Sequence, residues 1–86
     1  MYLSIMILNL NLKEWLIEAL NHYGGKASIV QVCKHIWDNH KKELENSGDL
    51  FYTWQYDIRW TAQNLRDKGK LRNITKNKKS YWEIVT

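Results

Sequence analysis

Apolar residues recur at helical spacing in three places along the chain. Leu12, Trp15, Leu16, Ala19 and Leu20 form one stripe, opened by Asn11 with Glu14 three residues on, the pattern of a capping box. Gly24 and Gly25 stop this helix, since glycine adopts the left-handed conformation that ends helices without a steric penalty. Ser28 followed by Gln31 caps a second helix, whose stripe is Ile29, Val32, Cys33, Ile36, Trp37 and His40, with Leu44 extending it to about Glu45. A third helix is predicted from Tyr52 or Thr53 to Lys68, with Trp54, Ile58, Thr61, Ala62 and Leu65 on its apolar side and Gly69 as its stop. The pattern then changes period. Lys70–Ile74 and Ser80–Thr86 are rich in branched and aromatic residues, and the polar turn Thr75–Lys79 joins them as a hairpin.

The segment before Asn11 reads differently. Met1–Leu12 is apolar, but Asn9 and Asn11 interrupt it and Leu8, Leu10 and Leu12 alternate with them, which is closer to a strand than to a helix. It lacks the leading basic residues of an export signal and falls short of the roughly 20 residues that span a bilayer. Residues 1–11 are therefore expected to be an apolar arm or strand packed on the domain of residues 12–86, or on a second copy in a homodimer. A cytoplasmic location without membrane contact is expected.

Three helices followed by a two-stranded hairpin make an α+β, mainly α, chain with the layout of a winged helix. The predicted core is Leu16, Leu20, Ile36, Ile58, Leu65, Trp82 and Ile84. At 86 residues the chain is near the lower limit for one core, and its five tryptophans help to fill it. Trp15, Trp37, Trp54 and Trp82 fall on apolar faces. Trp60 lies away from them and is expected to pack against the hairpin, the arm or a second subunit.

Charge sharpens the functional reading. From Arg59 to Lys79 there are eight basic residues and one acid, Asp67, a local excess of +7 within a net +4. A segregated charge of this size suits a polyanion. On the third helix Gln55, Arg59, Gln63 and Arg66 share a polar stripe. Arginine can pair bidentately with guanine and glutamine with adenine, so this stripe is a candidate for reading bases. Lys70, Arg72, Lys76, Lys78 and Lys79 in the hairpin are candidates for phosphate contact. The competing readings are a solvated helix face and a hairpin kept soluble by lysine. In the winged-helix layout the third helix enters the major groove of double-stranded DNA while the hairpin touches the backbone.

No catalytic arrangement is present in this reading. Asp57 and Asp67 have no evident acid–base partner, and no phosphate-binding glycine loop or Ser-His-Asp set can be assembled. His40 lies about 10 Å along the helix from Cys33, at about 1.5 Å per residue, too far to share one metal ion. The single cysteine is expected to be a packed thiol, and neither metal nor cofactor is expected.

The stretch Ile58–Leu71, with the basic turn and the ending Ser80–Thr86, resembles the N-terminal domain of Mrr-type restriction endonucleases. Ile58, Arg59, Trp60, Leu65, Arg66, Gly69, Leu71, Trp82, Ile84 and Thr86 occupy positions matching that family's pattern, and the likeness extends over residues 12–86. Thr61 stands where alanine is usual, and Ser80 where a glycine precedes the last strand. The resemblance implies DNA binding, in a transcriptional regulator or a defence-associated module. The catalytic acids and lysine of that family lie in a nuclease domain absent from these residues, so cleavage is not implied. A winged helix also serves as a protein-interaction or dimerisation module, and this is the alternative. RNA is less favoured, for want of a sheet carrying exposed aromatics.

Overall fold

A computed structural model describes the backbone over residues 2–85 and side chains over residues 11–85. The elements are α1 (Tyr2–His22), β1 (Lys26–Ser28), α2 (Ile29–Glu45), α3 (Leu50–Asp67), β2 (Leu71–Lys76) and β3 (Lys79–Ile84). The fold is α+β: three helices on a three-stranded antiparallel sheet of order β1-β3-β2.

The helix punctuation expected from the sequence is largely used. Gly24 and Gly25 take φ of 81° and 102°, and the Gly25 N–H donates to the Leu20 carbonyl at 2.7 Å, closing α1. Ser28 and Gln31 form a reciprocal capping box. The Gln31 N–H donates to Ser28 Oγ at 3.2 Å, and the Ser28 N–H donates to Gln31 Oε1 at 2.9 Å. Gly69, at φ 74°, ends α3 and lets the Lys70 N–H reach back to the Leu65 carbonyl.

Three boundaries depart from the sequence reading. α1 begins at Tyr2, so the backbone of residues 2–11 is helical and not a strand, and Asn11 sits inside the helix without capping it. The alternation of Leu8, Leu10 and Leu12 is too short to impose a sheet period on a segment that holds no glycine or proline. The arm contact and homodimer expected from that segment depend on side chains outside the described residues. α3 begins at Leu50, ahead of Tyr52, because Leu50 is buried and extends the apolar stripe one turn. The expected two-stranded hairpin has a third partner in β1, three residues pairing Lys26 with Glu83, Ala27 with Trp82 and Ser28 with Tyr81. Three residues are too few to show a period; β1 is fixed by what β3 offers it.

The core lies between the three helices and the inner face of the sheet. Leu12, Leu16, Leu20, Val32, Ile36, Leu44 and Ile58 are fully buried, joined by Leu65, Leu71 and Trp82. Ile84, expected inside, is half-buried and packs at the margin, as does Trp37. At the edge of this core, α1 and α2 are held together by a polar clasp. His40 places Nε2 2.8 Å from Glu18 Oε2 of α1 and Nδ1 2.8 Å from Glu43 Oε2, while its ring stacks on Trp15 at 4.1 Å. The α2 backbone departs from helical geometry at His40, with φ −130° and ψ 22°, where this clasp forms. Among the described residues, no helix is long and apolar enough to cross a membrane.

Candidate nucleic-acid interface

β2 and β3 are joined by two residues, Asn77 and Lys78, between the paired Lys76 and Lys79. Both take positive φ, 53° and 66°, the geometry of a type I′ turn whose twist matches that of the flanking strands. Asparagine suits the first position. Lysine at the second replaces the glycine that such turns favour. Lys76, Lys78 and Lys79 are all exposed around this tip, so the hairpin ends in three clustered ammonium groups.

Charge is less evenly shared than a count from Arg59 to Lys79 suggests. Within α3, Arg59 and Arg66 are balanced by Asp57 and Asp67. The excess belongs to Lys68–Lys79, which holds six basic residues and no acid. One of these six is internally matched: Arg72 Nε donates to Glu83 Oε1 at 2.6 Å, across a register in which the two residues face each other. Arg72 is therefore part of the sheet's own cross-strand pairing. Lys68 and Lys70 are exposed where α3 passes into β2.

The polar stripe of α3 is divided. Gln55 and Arg59 are exposed. Gln63 and Arg66 are half-buried and bonded to one another, the Arg66 guanidinium donating to Gln63 Oε1. Gln63 Nε2 in turn donates to Asp67 Oδ1 at 2.9 Å. This chain fixes both side chains along the helix and lets Asp67 offset the arginine. Of the four candidates on α3, Arg59 is the one whose guanidinium stands in solvent without an ion pair among the described residues.

Arg59 also borders an open groove of about 410 Å³ between α2 and α3, floored by Cys33, Trp37 and Trp54. The indoles of Trp37 and Trp54 lie nearly parallel at 6.4 Å there. Burial pushes the Cys33 thiol pKa up, with Arg59 opposing the shift, which keeps the sulfur protonated and poorly nucleophilic. Among the described residues, no three His, Cys, Asp or Glu side chains are grouped to hold a metal ion.

Trp60, expected to be covered, is 60% exposed. With Tyr52 and Tyr56 it forms an exposed aromatic row along α3, and the Tyr56 and Trp60 rings meet edge to face at 6.2 Å. The four-residue spacing of these rings is present in the sequence, at a wheel angle opposite Trp54, Ile58 and Leu65. Comparison with protein-family models, with curated proteins and with solved structures finds no match to this chain.

Proposed function

We propose that this chain is a winged-helix protein that binds double-stranded DNA, with α3 directed at the major groove and the β2–β3 hairpin on the phosphates. The observation that carries the reading is the lysine-tipped hairpin. Lys76, Lys78 and Lys79 crowd a two-residue turn in which lysine holds a conformation better suited to glycine. Solubility alone would not require a charge at that position. The element order α1-β1-α2-α3-β2-β3, with β3 between β1 and β2, agrees with a winged helix. The sequence's resemblance to the N-terminal domain of Mrr-type restriction endonucleases implies a role in transcriptional regulation or in DNA defence.

In this reading the hairpin supplies most of the affinity as counterion release, and it is indifferent to sequence. Arg59 and Gln55 supply what base readout there is. Gln63 and Arg66 stiffen the helix face through Asp67, and Arg72 holds the hairpin's register through Glu83. The alternative, a winged helix that docks a protein, draws on the exposed aromatic row.

Fluorescence anisotropy with a random-sequence duplex, titrated at several salt concentrations, tests the reading. Lys79→Ala is expected to weaken binding to every duplex alike and to lower the salt slope by about one. Arg59→Ala is expected to cost about 1–3 kcal/mol on a selected duplex and to relax sequence preference. Wild-type protein without salt-dependent affinity for any duplex would overturn the DNA reading and favour the protein partner.

A further inference from the structure

Tyr52, Tyr56 and Trp60 follow one another at four-residue steps, so their attachment points rise by about 6 Å each along α3. They are 83%, 62% and 60% exposed. The core is served by the opposite face of the helix, from Leu50 through Trp54, Ile58 and Ala62 to Leu65, so among the described residues these three rings take no part in it. Three large aromatics in a row leave a substantial apolar surface in water.

The character of the row restricts what can cover it. Its members carry a phenol or an indole N–H, and exposed Arg59 lies between Tyr56 and Trp60 in the sequence, so the surface is aromatic with hydrogen-bonding rims and a cation at its side. Two copies of this chain apposed through the row would bring both Arg59 side chains together, close to the basic segments that follow. A paired duplex offers only base edges, in a major groove about 12 Å wide that a helix of about 10–12 Å already fills. Ring faces complement base faces, and base faces are exposed where a strand is unpaired. A step of about 6 Å also exceeds the 3.4 Å per nucleotide of a stacked strand, which suits a stretched one.

We infer that the outer face of α3 is a stacking platform for unpaired bases, and that the preferred ligand is DNA in which a duplex adjoins an unpaired segment. The inference rests on the DNA-binding reading above and narrows it. The hairpin lysines hold the duplex phosphates; Tyr56 and Trp60 take the open bases, with Arg59 between backbone and ring.

Three labelled probes test it: a fully paired duplex, the same duplex with a central run of unpaired thymines, and single-stranded oligothymidine. Wild type is expected to bind the interrupted duplex about tenfold more tightly than the paired one, with quenching of tryptophan fluorescence. Tyr56→Ala and Trp60→Ala change exposed positions and are expected to leave the melting curve unchanged while removing that preference. Trp60→Phe, which keeps a ring, is expected to restore part of it. Equal wild-type affinity for the paired and interrupted duplexes, or alanine variants that weaken both alike, would overturn the stacking inference and leave duplex binding standing. Binding to none of the three probes would overturn both.

Discussion

Lys78 offers a substitution in which stability and binding are expected to move in opposite directions. Its φ of 66° places an ordinary side chain in left-handed backbone, where Cβ crowds the following carbonyl at a cost of about 1–2 kcal/mol. Lys78→Gly removes that crowding and creates the Asn-Gly pair that type I′ turns favour. Glycine loses more backbone freedom on folding, which offsets about 0.5–1 kcal/mol of the gain. The net expectation is a stabilisation of about 0.5–1 kcal/mol, a rise in melting temperature of about 2–8 °C for a domain of this size. The same change deletes one ammonium from the hairpin tip, so the salt slope of DNA binding falls by about one. Asn77→Gly is the control, since it alters the same turn without altering charge and should leave the salt slope untouched. Urea unfolding followed by tryptophan fluorescence measures the first quantity, and anisotropy titrations at several salt concentrations measure the second. A Lys78→Gly protein that is less stable than wild type would refute the turn geometry. A salt slope lowered equally by Asn77→Gly would refute the assignment of the charge.

Leu65 is 2% exposed, so Leu65→Ala is expected to cost about 2–5 kcal/mol by chemical denaturation. A near-neutral result would contradict the core described for α3. The His40 hydrogen bond, with smaller contributions from charge and from His35, holds Glu18 below its ordinary carboxylate pKa of 4.5, against desolvation by burial. Its contribution to stability is therefore fully present above pH 4.5 and lost as pH falls through the lowered folded-state value, and Glu18→Gln should flatten the acid limb of a stability–pH profile. Glu83→Gln weakens the partner of Arg72 across the strands, and is expected to leave sequence preference in DNA binding unchanged while loosening the hairpin, read as faster amide exchange in β2.

Features coded by short-range chemistry were legible in the sequence. The Ser28–Gln31 capping box, the stops at Gly24–Gly25 and Gly69, and the hairpin over residues 71–84 need only neighbours a few positions away. What was not legible depends on distant partners or on position overriding type. β1 exists through its pairing with β3 and has too few residues to announce itself. The start of α3 was obscured because Asp49, the residue before it, has helical backbone and makes no side-chain cap. Arg72 looks like a free cation in a sequence; only the strand register brings Glu83 against it. For Trp60 the wheel position alone indicated a face of α3 away from the core, and what the sequence did not show is that the indole stays 60% exposed.

The pairing of Lys26 with Glu83 carries a consequence for the order in which the chain acquires its shape. Each helix can gather locally, and the β2–β3 hairpin closes through two residues, an event of about 1–10 μs in isolation. β1 must wait for β3 across both α2 and α3, so its closure bears the loop entropy of most of the chain. β1 adds to the helices' hold on β3 beside the α1–α2 junction, with the Ile84 N–H on the Gly25 carbonyl at 2.8 Å. The β1–β3 pairing is thus expected to be among the last contacts made on folding. Native-state hydrogen exchange should find the Ile84 amide opening with β1, ahead of the amides of the helical core.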